Sequence, residues 1–182
     1  GEVFIFPTDT VYALAADSNS VKAIEKLFSL KKITSDQPLT LLCKDISSVS
    51  NYILQLSDQA FRLMKKITPG PFIFLFKANK NIPRISLTNE KTKKIGIRIP
   101  DNQFLLELLK IHPNPIITTS VVLDSEFIEE PEKIENTFGK KVKAIIDGGF
   151  LITELATIID FTSDEMVIVR EGKGIEKINE NF

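Results

Sequence analysis

Hydrophobic runs and helical stripes alternate along the first half of the chain. A short run of strand formers, Val3–Phe6, is closed by Pro7, which has no N–H to donate to a sheet ladder. In residues 21–30 the apolar positions recur at helical spacing, and residues 39–43 again form a short buried run. This alternation predicts a strand, a helix packed beside it, and a further strand.

The same pattern continues to the end of the chain and becomes more strand-rich. Helical stripes cover residues 47–54, 57–67, 103–110 and 131–138. Strand-like runs cover residues 72–76, 95–99, 115–120, 144–146, 156–161 and 166–170. The last two runs are joined by a short polar segment and predict a hairpin. We therefore expect one α/β domain over residues 1–182, with a twisted mixed parallel and antiparallel sheet and helices on the outside.

Composition excludes several classes of protein. The chain has 182 residues and a net charge of −1, with a pI near 6.0, so it has no overall attraction to nucleic acid or acidic membranes. No apolar run is long enough to span a bilayer, and the single cysteine, Cys43, fits a reducing cytoplasm. We expect a cytoplasmic protein with no membrane partner. Because the chain opens directly on a strand, a native N-terminus lying further upstream is compatible with the pattern.

Metal and dinucleotide chemistry are not indicated. His112 and Cys43 are the only residues of their types and fall in different predicted elements, so no protein-bound transition metal is expected. No glycine fingerprint follows a strand, and there is no Walker-type glycine-lysine loop.

Polar side chains collect where predicted strands end. Thr8, Asp9 and Thr10 follow the first strand, and Thr119 and Ser120 end a later one. Hydroxyls and carboxylates in these places either hold a small polar ligand or cap their own backbone. The residues alone leave both alternatives open.

The order of these residues resembles the YrdC-like domain family. Pro7 to Leu14 reads Pro-Thr-Asp-Thr-Val-Tyr-Ala-Leu, similar to the family signature. Later segments also resemble family motifs in the family's order. They are Pro69-Gly70-Pro71, Ile97-Arg98-Ile99-Pro100, Thr118-Thr119-Ser120, Asp147-Gly148-Gly149, Thr157-Ile158-Ile159-Asp160 and Val169-Arg170-Glu171-Gly172. Residues 61–64 and 125–127 resemble the YciO branch specifically.

The resemblance implies a concave basic cavity over the sheet and a known chemistry. Characterised family members make threonylcarbamoyl-AMP from threonine, bicarbonate and ATP with Mg²⁺, for threonylcarbamoyladenosine formation in tRNA. Carried over by motif, Lys31, Ser120 and Arg170 would bind the nucleotide. The threonine or small-ligand residues would be Thr8, Thr10, Tyr12, Arg98 and Thr119. For Tyr12, a core position with a paired hydroxyl is the alternative.

Two positions depart from the family pattern. Ile33 stands where the family carries a phosphate-binding arginine, and Val122 stands where it carries an asparagine. Neither side chain can donate a hydrogen bond to a phosphate. Losing one such contact typically costs about 2–4 kcal/mol at the transition state. The substitutions predict a much slower enzyme or a different ligand.

Three functions therefore remain as hypotheses. The first is a YciO-type protein that binds an adenine nucleotide, ATP or AMP, with weak or absent synthase activity. The second is a fully active synthase. The third is a tRNA- or double-stranded-RNA-binding module, because residues 77–98 are rich in cations that include Lys91, Lys93 and Lys94.

Overall fold

A computed structural model of the chain describes residues 1–31, 39–82, 93–123, 126–163 and 165–180. Nine of its strands, β1 to β6 and β9 to β11, form one mixed sheet. Their order across the sheet is β11-β10-β4-β5-β3-β6-β2-β1-β9. The strands are β1 Val3–Phe6, β2 Ala13–Asp17, β3 Thr40–Leu42, β4 Phe72–Lys77, β5 Lys94–Arg98, β6 Ile116–Ser120, β9 Ala144–Ile145, β10 Thr157–Asp160 and β11 Val167–Arg170. The predicted α/β fold with a mixed sheet is confirmed.

The sheet contains both parallel and antiparallel pairs. β3 and β5 run parallel, as do β4 with β10 and β1 with β9. The remaining neighbours, including the predicted β10–β11 hairpin, are antiparallel. The opening strand β1 lies between β2 and β9 and is therefore internal, as its apolar sequence predicts.

Helices of the described residues flank the sheet. They are α1 Val21–Lys31, α2 Ile46–Val49, α3 Asp58–Ile67, α4 Gln103–Ile111, α5 Pro131–Phe138 and α6 Ile175–Asn179. The Ser57 hydroxyl accepts from the N–H of Ala60 at the start of α3, and the Asn102 side chain accepts from Leu105 at the start of α4. Such caps satisfy backbone donors that have no partner inside the helix.

Four elements differ from the sequence prediction. The helix predicted over residues 47–54 is shorter in the structure. It is the single turn α2, Ile46–Val49, which begins at its cap Asp45. A separate two-stranded pair, β7 Val122–Leu123 and β8 Glu126–Phe127, follows β6, and α6 ends the described chain. These elements are too short to give a hydrophobic period.

Two hydrophobic cores lie on opposite faces of the sheet. The larger core contains Leu14, Leu41 and Ile97, together with α1 and α3. The smaller core contains Ala13, Ala15 and Leu42 and is covered by α4. The face under α4 also carries the polar strand ends, so the candidate site lies beside the smaller core. None of the helices in the described part of the chain is long and apolar enough to cross a membrane.

Candidate ligand site

The turn after β1 is held together by the hydroxyl of Thr8. Its Oγ1 accepts hydrogen bonds from the backbone N–H groups of Thr10 and Val11 and donates to the carbonyl of Val11 at 2.7 Å. The Oγ1 atoms of Thr8 and Thr10 lie 3.0 Å apart. Thr8 thus fixes the local backbone, which is the cap role that the sequence left open, and in doing so it positions Thr10.

Arg98 joins this turn from the end of β5. Its Nη1 donates to Thr10 Oγ1 at 3.0 Å, and its Nη2 donates to Asp9 Oδ1 at 2.6 Å. Arg98 is only 6% exposed. Burial lowers the pKa of the guanidinium, and the charge of Asp9 and its hydrogen bond act in the opposite direction. A buried ion pair therefore occupies the position where the resemblance places a carboxylate clamp.

Strand register brings Ser120 to the same face of the sheet as Arg98. In β6, Thr118 pairs with Thr40 of β3, which pairs with Gly96 of β5. Side chains directly across a ladder share a face, and so do residues two apart along a strand. Arg98 follows Gly96 by two positions, and Ser120 follows Thr118 by two. Both therefore point to the face that α4 partly covers.

Arg170 approaches the site from the edge strand β11. Its Nε and Nη2 donate to the carbonyl of Ala156 at 3.0 and 2.8 Å. Burial lowers the pKa of Arg170, and the positive charge of Arg98 lowers it further. Within the described residues, no carboxylate forms an ion pair with Arg170. Arg170 thus lies on the side of the site where Arg98 is, and the ion-pair carboxylate of Arg98 is Asp9.

Lys173 completes the cationic group and was missed from the sequence. Its Nζ donates to the backbone carbonyl of Asp9 at 3.0 Å and lies 4.0 Å from Glu154 Oε2. The Arg-Glu-Gly motif at residues 170–172 indicates this region, but the motif does not include Lys173, and no other sequence pattern predicts a role for it. Asp9 was named among the polar residues after the first strand, but its ion pair with Arg98 was not predicted.

Lys31 and Thr119 form a separate contact. Lys31 Nζ donates a short hydrogen bond to Thr119 Oγ1. Thr119 pairs with Leu14, a residue of the larger core, so it faces away from Ser120. Burial lowers the pKa of Lys31 to about 8. These contacts therefore divide the predicted site into the Arg98 group and the Lys31–Thr119 pair.

Tyr12 lies in the core and not on an open pocket wall. Its side chain is fully buried, and its hydroxyl accepts from Gly148 N–H and donates to the Gly149 carbonyl, both at 2.8 Å. A Cβ on Gly148 would lie 2.5 Å from Pro7 Cγ, which explains the glycine. Of the two alternatives for Tyr12, the structure supports the core position with a paired hydroxyl.

The predicted RNA-binding lysines have unequal surroundings. Lys93 is exposed, whereas Lys94 Nζ forms an ion pair with Asp160 Oδ2 at 2.7 Å. That contact reduces the charge that Lys94 presents to a phosphate. Lys91 and Ile33 lie outside the described residues, and Val122 lies in the β7–β8 pair.

Comparison with known proteins agrees with this geometry. The family model Sua5_yciO_yrdC, described as telomere recombination, matches residues 1–172. YciO of Escherichia coli (strain K12) is 40% identical over 176 residues, covering 96% of this chain and 84% of the relative. The crystal structure of Escherichia coli YciO superposes with a TM-score of 0.89 at 38% identity, over 96% of this chain and 84% of that one.

Synthases are also similar, over about half their length. Threonylcarbamoyl-AMP synthase of Bacillus subtilis (strain 168) is 31% identical over 97% of this chain and 51% of the relative. Sua5 of P. abyssi, crystallised in complex with L-threonine, has a TM-score of 0.88 at 25% identity, over 98% of this chain and 53% of that one. The chain therefore belongs to the Sua5/YciO/YrdC family, which is related to threonylcarbamoyl-AMP synthases.

Proposed function

We propose that this protein binds an adenine nucleotide next to a small amino acid, L-threonine, and forms threonylcarbamoyl-AMP slowly or not at all. The observation that carries the proposal is the cationic group at the strand ends, in which Arg98 Nη2 donates to Asp9 Oδ1 at 2.6 Å and Lys173 Nζ donates to the Asp9 carbonyl at 3.0 Å. Burial lowers the pKa of Arg170 and the positive charge of Arg98 lowers it further, which adds Arg170 to this group.

A group of cations with few carboxylates favours an anionic ligand. Asp9 forms an ion pair with Arg98, Arg170 has no ion-pair carboxylate among the described residues, and Lys173 adds a further positive charge nearby. Partly buried cations that lack counter-ions are stabilised by a bound anion, because the low local dielectric strengthens the attraction. A phosphate chain supplies several negative charges, and guanidinium groups match its oxygens.

The amino-acid half of the proposal rests on Arg98, Thr10 and the relatives. Arg98 Nη1 and Thr10 Oγ1 are joined at 3.0 Å at the end of the polar turn. The P. abyssi relative, 25% identical, was crystallised with L-threonine. Because Pro7 to Leu14 resembles the family signature, we assign the same ligand to this turn.

Weak catalysis follows from the two apolar substitutions. Ile33 and Val122 replace an arginine and an asparagine in the family pattern and cannot stabilise charge on a transferring phosphoryl group. Binding tolerates such losses better than turnover does, because turnover depends on contacts made in the transition state. Mg²⁺ would accompany ATP as part of the substrate. In this proposal the chain keeps a nucleotide site and loses most of the catalysis.

Titration calorimetry with ATP and AMP tests the nucleotide assignment. We expect saturable binding to the wild type and at least about tenfold weaker binding to Arg170→Gln, the loss of one charged hydrogen-bonding group. Arg62→Gln is the matched control, because Arg62 is exposed on α3. Equal affinities for the two variants would contradict the assignment.

A further inference from the structure

Helix α4 carries apolar side chains on its outer face as well as on its inner face. Leu105 and Leu109 are buried in the smaller core. Phe104 and Ile111 are 45% and 80% exposed, and Leu108 is half-buried between them. Positions 104, 108 and 111 follow one another by four and three residues, so they form one stripe along the helix. A surface helix ordinarily presents polar side chains on that face, so the stripe indicates a contact surface.

A charged pair lies along one side of this outer stripe. Lys110 Nζ and Glu107 Oε1 are 2.7 Å apart, and both side chains are well exposed. Seen down the helix axis, Glu107 and Lys110 lie about 60° and 120° from Phe104, on the side opposite Leu108. The stripe therefore has one charged flank, with an acidic and a basic residue one turn apart.

We infer that the outer face of α4 is a self-association surface, on which α4 of a second copy of this chain packs in the antiparallel direction. A two-fold axis level with Leu108 would place Phe104 of each copy against Ile111 of the other. The same axis keeps the charged flanks of the two helices on one side of the pair. Glu107 of one copy is then within reach of Lys110 of the other.

Charge complementarity favours a second copy as the occupant. An isologous contact requires a surface that is complementary to itself. Glu107 and Lys110 form an ion pair within one helix, and in the dimer each can make the same pair across the contact, so no charge is left unpaired. The net charge of the chain is −1, so two copies repel each other only weakly.

The association should be weak and reversible. Stable dimers bury about 800 Å² on each partner, and one stripe of three apolar side chains supplies only part of that area. We expect a dissociation constant on the order of 100 µM. The outer face of α4 is turned away from the sheet face that carries Arg98, so the inference does not depend on the proposed function.

Sedimentation equilibrium of the wild type, from about 10 µM to about 1 mM, tests the self-association. We expect a monomer–dimer equilibrium in this range. Phe104→Asp should weaken it at least tenfold, because the contact would bury an unpaired charge. An aspartate in the first turn of a helix is compatible with folding, and circular dichroism checks this. Leu54→Asp is the matched control, because Leu54 is 66% exposed and lies outside α4. A monomer over the whole range, or equal effects of the two variants, would overturn the inference.

Two charge reversals test the antiparallel arrangement. Glu107→Lys and Lys110→Glu each bring like charges together across the contact, so each variant alone should dimerise more weakly than the wild type. An equimolar mixture of the two should associate at least about fivefold more tightly than either alone, because opposite charges then face each other. Loss of the ion pair within one helix cannot produce this gain.

A matched mixture excludes a general attraction between oppositely charged chains. It combines Glu132→Lys with Lys133→Glu, two exposed positions on α5, and should show no gain over its components. If the α4 mixture is no tighter than its components, or if the α5 mixture gains as much, the inference is wrong.

Discussion

The hydroxyl of Tyr12 joins the backbone of Gly148 to the turn that carries the candidate site. It accepts from the Gly148 N–H at 2.8 Å and donates to the carbonyl of the next residue at the same distance. Pro7 packs against Gly148 on the other side of the turn. The turn is therefore positioned by contacts between the segment that follows β1 and the segment that follows β9.

Replacing Tyr12 by phenylalanine should destabilise the fold with little direct effect on ligands. The change removes the hydroxyl that partners two backbone groups, and leaving such groups unpaired costs about 1–3 kcal/mol. For a chain of this size we expect a fall in Tm of about 2–4 °C per kcal/mol. Thermal melts compare the Tm of Tyr12→Phe with that of the wild type. Tyr52→Phe is the control, because its ring is half-buried in another part of the chain. Equal melting temperatures for Tyr12→Phe and the wild type would contradict the role of the hydroxyl.

Lys31 should make stability rise with pH above about 8. Burial lowers its folded-state pKa from 10.5 to about 8. Between these values the unfolded chain binds the proton more strongly than the folded chain does. The free energy of unfolding therefore increases with pH across this window, and the penalty is fully present below it.

The variant Lys31→Met should remove this dependence. Methionine has a similar length and no charge, so the variant should be more stable than the wild type at pH 7, with the difference shrinking as pH approaches 10. Urea unfolding at pH 7, 8, 9 and 10 measures the free energy of unfolding of both proteins. Lys22→Met on the exposed side of α1 is the control. A constant difference between wild type and Lys31→Met would show that Lys31 does not titrate as described.

RNA binding, if it occurs, should depend steeply on salt. Contacts to duplex phosphates give a log–log slope of about −0.9 per phosphate neutralised. Replacing Lys91, Lys93 and Lys94 together by alanine should flatten the slope. Because Lys94 is paired with Asp160, Lys93→Ala alone should have a larger effect than Lys94→Ala. A salt-independent interaction, or none at low salt, would exclude this function.

Restoring the family residues should restore catalysis. The double variant Ile33→Arg with Val122→Asn should increase pyrophosphate release from ATP in the presence of threonine and bicarbonate. Each single variant should give a smaller increase, because both groups act on the same phosphate chain and need not be additive. The matched control, Ile111→Arg, adds the same charge at an exposed position on α4. No increase in the double variant would mean that other residues limit the rate.

Sequence reasoning predicted the sheet because its strands are long apolar runs. β1, β4 and β6 each bury consecutive side chains, and such runs predict strands without tertiary information. β7 and β8 were missed and the helix at α2 was predicted too long, because two to four residues cannot show a period.

The candidate site was only partly predictable for a different reason. Strands end at Arg98, Ser120 and Arg170, and Thr10 lies in the turn between β1 and β2. Their place on one side of the sheet therefore follows from the strand pattern and the family motifs. The Arg98–Asp9 pair depends on how far a guanidinium reaches across the sheet, and no spacing along the chain encodes that distance.

The central claim, nucleotide binding with little turnover, is tested most directly on the wild type alone. ATP is titrated calorimetrically in the presence of Mg²⁺ and threonine, and pyrophosphate is measured in the same samples after bicarbonate is added. We expect saturable ATP binding and pyrophosphate release far below the rates ordinary for enzymes, about 1 per second or more. Turnover at such a rate, or the absence of ATP binding, would contradict it.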